Sequence, residues 1–443
     1  MPESVPLAPD VLTPELRQAL HQELHARPAP ELQTPLAVTR WVMLGDEAER
    51  TASRTHLAAL LAGRGLTPPP EDAAFVQADL GELSLRWELH TEFVAWTFFR
   101  PLAAPDLAAL AAGEPPTATE LLPAAWRQAL PGQALTGVHL WAVPKPLRGG
   151  ADVLRRLFGE HGVTGSHVIS QGSELHTDLR LRADGCLRML VLAGSPGPGG
   201  ATPQRLGRLV QRVLEVDTYR MAALLGLPPA RRVVRWLVEG EAELAALALA
   251  VGRAGHADEP ALLDRLTRLA ARLESLYAST HARFSASAAY DELVRQRLQD
   301  MAEQPMEGMQ SLREFLDRRL APAMATCRAA DRRQAALSAR IARVGDLLRT
   351  RVEVEQQRSS RELLAAMNRR QGLQLKLQST VEGLSVAAIT YYVVGLVAYV
   401  ARGAQNLGWP VSVELTAAGA VPLVALGVWA GLRRLHHRIA GAE

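Results

Sequence analysis

The sequence predicts an α+β protein: an N-terminal cytosolic α/β sandwich, then a long helical bundle with coiled-coil stretches, then a C-terminal two-helix transmembrane hairpin. Three observations predict it. Short apolar runs with strand periodicity crowd the first part of the chain. An Arg-, Glu-, Leu- and Ala-rich middle carries leucines at alternating spacings of four and three. Two charge-free runs near the end are each about long enough to cross a ~30 Å hydrocarbon layer. At 443 residues the chain can bury a sizeable core and divide into two or three structural units.

Residues 1–29 form an N-terminal segment. Its start, MPESVPLAPD, lacks a basic stretch followed by an apolar one, so no signal peptide is expected. Within HQELHARP, His21 and His25 stand at i and i+4 and would share one face of a helix, the geometry of a metal-ligand pair. Glu23, however, sits two residues after the first histidine, which is not the zincin order, and no third ligand is near. A solvated helix end or an inter-domain contact is the plainer reading.

An α/β domain is expected over 30–194. Its strand candidates are LAVTRWVML, SLRWELHTEFVAWTFF, ALTGVHLWAV, GSHVIS, ELHTDLRL and CLRMLVLA, with DEAERTASRTHLAALLAGR as an early helix. Too many strands follow one another without helices for a doubly wound fold, so a mixed or antiparallel sheet is predicted. If RWELHTEF is one strand, alternation places Glu88, His90 and Glu92 on one face and Trp87, Leu89 and Phe93 on the other. A histidine between two carboxylates is biased toward its charged form or could join a cation site. The commoner meaning of such a row is the wet face of a sheet. No glycine-rich dinucleotide loop, Walker loop or Gly-x-Ser-x-Gly elbow is present, so neither nucleotide binding nor catalysis has a motif behind it.

The turn-rich SPGPGGATP makes 195–203 a linker. Long helices are then expected over 204–382. Leu262, Leu266, Leu269, Leu273 and Leu276 mark one coiled-coil seam, and Leu337, Ile341, Val344 and Leu348 mark another. Heptads do not persist throughout, and GRAGHADEP and the neighbourhood of Pro305 offer reversals, so an antiparallel bundle is favoured over one rod. The last helix has no stop before Leu384 and is expected to run on into the membrane.

The hairpin spans 383–432, with crossings at 383–401 and 415–432, and a basic tail follows at 433–443. Arg369, Arg370 and Lys376 precede the first crossing and Arg433, Arg434 and Arg438 follow the second, while the loop between carries Arg402 alone. By the positive-inside rule both termini face the cytosolic side of the cytoplasmic membrane. Trp409 and Trp429 stand where interfacial aromatics are expected. Gly427 and Gly431 would let two helices approach closely, and hydroxyls on the first crossing would bond to carbonyls or across the pair. Alternatively Thr390, Tyr391 and Tyr399 line a pore, since a hydroxyl can contact a hydrated ion. Pro422 would kink the second crossing.

The formal net charge is +3, supplied almost wholly by arginine, Lys145 and Lys376 being the two lysines. So near-neutral a balance, without a basic face rich in aromatics, argues against nucleic acid as a partner. The two cysteines, Cys186 and Cys327, are too few and too separated for a disulfide framework or a cysteine metal cluster, which fits a reducing compartment. No cofactor is expected.

ELHARP at 23–28, ELHTEF at 88–93, RADG at 182–185, GRLVQRVLEVDTYRMAALLGLP at 207–228, EFLDRRLAPAMATC at 314–327 and TVEGLSVAAITYYVVGL at 380–396 resemble the bacterial family of predicted membrane-anchored proteins defined by domain of unknown function thirty-four twenty-two. The resemblance spans nearly the whole chain and implies an anchor, with no activity attached. If its strings mark a functional surface, that surface includes Glu23, His25, Arg27, His90, Glu92, Tyr219 and Arg220. The order of parts is also similar to the CorA class of divalent-cation channels, pentamers whose first membrane helix lines the pore. That class carries Gly-Met-Asn at the outer end of the helix, where this chain has AYVARGAQNLGW. The sequence thus leads to a non-enzymatic, membrane-anchored homo-oligomer acting as a cytosolic scaffold or sensing module, self-associating through coiled-coil and membrane helices. A CorA-like channel for an unidentified cation is the alternative. A metal enzyme built on His21, His25 and His90 is the weakest of the three.

Overall fold

In the computed structural model the protein is described at residues 13–23, 28–147, 149–159, 162–195, 197, 200–253, 255, 258–408, 410 and 412–440. The fold is mixed α+β, with an N-terminal sheet, long C-terminal helices and two apolar helices at the end. The chain divides into two compact units, Met1–Arg343 and Val344–Glu443.

The first unit opens with α1 (Pro14–Glu23), β1 (Leu36–Leu44) and α2 (Glu47–Ala62). A capping box starts α2: the Glu49 amide donates to the Asp46 side chain and the Asp46 amide to the Glu49 carboxylate, satisfying two amides that the first turn leaves without helical partners. Next come β2 (Phe75–Asp79), β3 (Ser84–Leu89), β4 (Phe93–Pro101), α3 (Ala104–Ala112), α4 (Ala124–Gln128), β5 (Gln133–Pro144), α5 (Gly150–Phe158), β6 (Thr164–Val168), β7 (Ser173–Thr177) and β8 (Leu187–Ala193). With β9 (Glu303–Pro305) they form one sheet in the order β2-β3-β4-β1-β5-β8-β7-β6-β9. Among the described strands the β5–β8 pairing alone is parallel, apart from an isolated parallel bridge between Thr164 and Gln310.

The expectation for SLRWELHTEF needs correcting. The string is two strands, and the chain reverses between them, with the His90 amide donating to the Phe93 carbonyl at 2.9 Å. Glu88, His90 and Glu92 therefore do not share a strand face, and Glu88 is buried rather than wet. The turn carries neither Gly nor Pro, and the apolar alternation continues on both sides of it, so periodicity alone reads straight through. Two strands escaped the sequence reading: β2, half-exposed at the sheet edge, and β9, which comes from the helical half of the chain.

Both faces of the sheet are covered, which is why central strands read as largely apolar runs. One face carries two clusters. Trp87, Trp96 and Phe98 pack with Leu57, Leu60 and Leu61 of α2, and Trp141, Leu190 and Leu192 pack with Leu110 of α3 and Val153, Leu157 and Phe158 of α5. On the other face Val42, Phe93, Ala95 and Leu135 receive Ala222 and Tyr219 of α6 (Pro203–Leu224).

Three further helices follow: α7 (Leu227–Arg253), α8 (Glu259–Met301) and α9 (Leu312–Asn406). Leu262, Leu266, Leu269, Leu273, Leu337 and Ile341 are buried. Arg328 of α9 pairs with Asp291 of α8 and Gln334 reaches Thr280, so the two run antiparallel. Arg333 grips Glu241 of α7 with two hydrogen bonds at 2.8 and 3.1 Å.

Between α8 and α9 the chain is bonded to the sheet. Beyond the β9–β6 pairing, the Gly165 amide donates to the Gln310 carbonyl and the Leu312 amide to the Ser166 hydroxyl, both at 3.0 Å. Ser311 and Glu314 then cap α9 reciprocally, the S-x-x-E box. A Cβ on Gly165 would stand 2.5 Å from the Met309 sulfur, so glycine permits this close seat.

In the second unit α9 continues as an exposed polar helix and then turns apolar, and α10 (Val413–Ala440) follows. The most apolar windows have mean hydropathy 1.9 in α9 and 1.6 in α10, and at most 6% of either is buried. Both helices are long and apolar enough to span a membrane. Trp409 and residues 441–443 lie outside the described residues, as do the side chains of Arg433 and Arg438.

Candidate functional site at the junction of sheet and helices

The face beneath α6 holds the most unusual chemistry in the sheet. Arg40 on β1 pairs in register with Thr97 on β4, which pairs with Arg86 on β3, so three adjacent strands place two guanidinium groups and a hydroxyl in one row. Glu88, two residues along β3 from Arg86, lies on the same face and joins them. Arg40 donates to its Oε2 at 3.2 Å and to the Thr97 hydroxyl at 3.3 Å, and Arg86 donates to its Oε1 at 2.8 Å. All three ionised groups are buried. Arg86 also donates to the Pro28 carbonyl at 2.5 Å and lies 5.0 Å from the Phe75 ring centre, a cation–π contact. Burial alone would raise the Glu88 carboxyl, but the charges of Arg40 and Arg86 and the Arg86 hydrogen bond outweigh it and bring it down to about 2. This carboxylate is a clamp and not a proton acceptor at neutral pH. A cavity of about 10 Å³ between Arg40, Arg86, Val210 and Leu214 has room for one water.

Further along α6, Asp217 is fully buried and shared: the Thr136 hydroxyl donates to it at 2.7 Å and Arg220 Nε at 2.8 Å. Tyr219 stacks on Tyr290 of α8 at 5.9 Å, and Tyr290 meets Phe93. Burial first, and then Glu215, pushes the Tyr219 phenol up. Glu215 itself pairs with Arg297 of α8. Glu92 takes two hydrogen bonds from Arg283 of α8 at 3.1 and 3.2 Å, and His90 stacks on Phe93 at 4.4 Å. An open pocket of about 470 Å³ lies here, with Glu49, Arg50, Glu92 and Arg283 on its walls.

Of the residues singled out in the sequence, His90, Glu92, Tyr219 and Arg220 thus gather where α6 and α8 meet the sheet. Glu92, Tyr219 and Arg220 bind partners in this chain, so here they serve to lock sheet and helices together. His25 and Arg27 lie outside the described residues, as does the Glu23 side chain at the end of α1. In the second unit Thr390, Tyr391 and Tyr399 line one cavity of about 690 Å³ with Val421 of α10.

Sequence reasoning missed Arg40, Arg86, Asp217 and Thr136. The one signal available was arginine inside otherwise apolar strand runs, where a charge is costly unless paired. It also missed a group able to hold a metal: His139 of β5, with Asp184 and Cys186 at the entry to β8, whose ligand atoms lie within 4.8 Å of one another. Burial pulls His139 down to about 4 against the nearby Asp184, with Arg188 adding to the fall, and burial pushes the Cys186 thiol up to about 12.

The model of the family described as protein of unknown function (DUF3422) matches residues 13–439. No curated protein and no solved structure matches the chain.

Proposed function

Because the chain belongs to this family of unknown function over nearly its whole length, we propose a role built on architecture: a membrane-anchored homo-oligomer whose cytosolic sheet and helices act as a scaffold or sensing module, without catalysis of its own. One observation carries the proposal. A single helix, α9, starts on a hydrogen bond to Ser166 of the sheet, with Ser311 and Glu314 capping it, and ends in an apolar stretch that its own chain leaves uncovered. Water is a poor solvent for such a surface, and lipid is a good one.

Arg369, Arg370 and Lys376 before the first apolar stretch and Arg434 after the second favour an orientation with both ends in the cytosol. The leucine seams at 262–273 and 337–341 are already buried within the chain, so self-association falls to the later part of α9. There Leu363, Leu364, Met367, Leu373 and Leu377 are all more than half exposed on a helix, an arrangement that favours packing against copies of itself.

The hydroxyls of Thr390, Tyr391 and Tyr399 along one cavity favour a second reading, a cation pathway formed by several copies of α9. One preparation tests both. Full-length protein purified in detergent is sized by native mass spectrometry and reconstituted into liposomes for cation flux. A defined oligomer that passes no ion supports the scaffold, and flux lost on Thr390→Val and Tyr399→Phe replaces it with the channel. Recovery of the chain in the soluble fraction without detergent defeats both.

A further inference from the structure

We propose that His139, Asp184 and Cys186 form a binding site for one borderline-soft divalent ion of the zinc type, set in the sheet between its two apolar clusters. The proposal is independent of the membrane role. β5 and β8 run parallel with Val138 opposite Leu187, and continuing that pairing brings Gly137 opposite Cys186. His139 and Cys186 are then diagonal neighbours on one face, on adjacent strands that cannot slide. Gly137 makes the room: a Cβ there would lie 2.6 Å from the Cys186 sulfur and 3.0 Å from the Gly185 carbonyl oxygen.

Each ligand is held by a second contact, as metal ligands ordinarily are. The Thr39 hydroxyl lies 2.8 Å from His139 Nδ1 and is fully buried. With Nδ1–H donating to Thr39, the Nε2 lone pair faces Asp184. The Cys186 amide donates to Asp184 Oδ1 at 2.9 Å, which leaves Oδ2 free toward the histidine. Trp41 hydrogen-bonds the Cys186 sulfur.

The separations suit an ion better than a direct bond. Nε2 and Oδ2 stand 3.8 Å apart, beyond hydrogen-bond reach. An ion at ~2.0–2.2 Å from each would hold them roughly 3.4 Å apart in tetrahedral geometry, a small inward movement of the exposed Asp184. One nitrogen, one sulfur and one oxygen are the donor set that zinc accepts and that magnesium and calcium do not. Asp184 is 44% exposed at its side chain, so water can enter as a fourth ligand. The nearby cation is Arg188, in register with His139, and its guanidinium reaches away to the Leu157 carbonyl at 3.4 Å. Glu120 offsets part of its charge. Binding releases the Cys186 thiol proton to solvent, since only the thiolate ligates.

Co²⁺ titration of chelator-treated, full-length protein in detergent tests this. One equivalent should give visible d–d bands of four-coordinate cobalt with a sulfur-to-metal charge-transfer band, and Zn²⁺ should displace it. Cys186→Ser should abolish the charge-transfer band and Cys327→Ser should leave it. Thr39→Val should weaken binding about 10–100-fold through the lost support of His139. Asp184→Asn keeps the oxygen that caps the Cys186 amide and removes the charge, so the fold survives while affinity falls at least tenfold. No charge-transfer band in the wild type, or one that persists in Cys186→Ser or is unmoved in affinity by Asp184→Asn, overturns the proposal.

Discussion

Replacing Glu88 by glutamine tests how the sheet tolerates two buried arginines. The carboxylate accepts from both Arg40 and Arg86 and is 5% exposed. Its carboxyl falls from 4.5 to about 2 on folding, and at ~1.4 kcal/mol per unit that is worth about 3 kcal/mol. A depressed carboxyl stabilises the fold fully above the unfolded value and ceases to do so as pH falls through the folded one. The contribution should therefore be whole above about pH 4.5 and gone near pH 2. Glu88→Gln keeps the shape and part of the hydrogen bonding but no charge. It should lose about 3 kcal/mol at pH 7, with the gap to wild type closing as pH is lowered. Glu88→Ala should lose ~3–5 kcal/mol, because it strands both guanidinium groups. Urea unfolding of the detergent-purified chain, followed by fluorescence of Trp41, Trp87, Trp96 and Trp141 in the sheet, reads these differences. A gap under ~1 kcal/mol at pH 7, or one that stays constant down to pH 2.5, would refute the clamp.

Other expectations follow from the same contacts. Gly137→Ala puts a methyl against the Cys186 sulfur and the Gly185 carbonyl and should cost ~1–3 kcal/mol by overpacking, measured by the same unfolding curve. Ser311→Ala removes the cap of α9 and should cost about 1 kcal/mol, seen as faster amide exchange confined to the helix start. Arg283→Ala breaks the two-bonded pair with Glu92, but both side chains are 22–33% exposed, so solvent limits the loss to about 1 kcal/mol. Membranes washed with alkaline carbonate should retain the protein, and truncation before Gly383 should release it.

The strands β1, β5 and β8 were legible because residues buried on both faces leave long apolar runs, and α9 was legible because nothing but Pro322 interrupts it. The tight turn at His90–Glu92 was not, since none of its residues is a turn former and register alone decides where the chain folds back. The arginine row was hidden for a different reason: Arg40 is far in the chain from the hairpin that carries Arg86 and Thr97, and it meets them only through the β1–β4–β3 order. His139 and Cys186 meet likewise through the parallel β5–β8 pairing. Of the residues that the strings singled out, Glu92, Tyr219 and Arg220 tie helices to the sheet in this chain.

The three-residue β9 bears on how parts of the protein can be handled. A sheet that ended at β6 would present a row of free amides and carbonyls to other molecules, the usual start of aggregation. Here that border is closed by residues met more than a hundred positions later in the chain and finished with Pro305, which has no amide hydrogen to offer a newcomer. The sheet expressed alone, ending near Gly194, should therefore precipitate, whereas a fragment carried through α9 to Arg343 should stay dispersed.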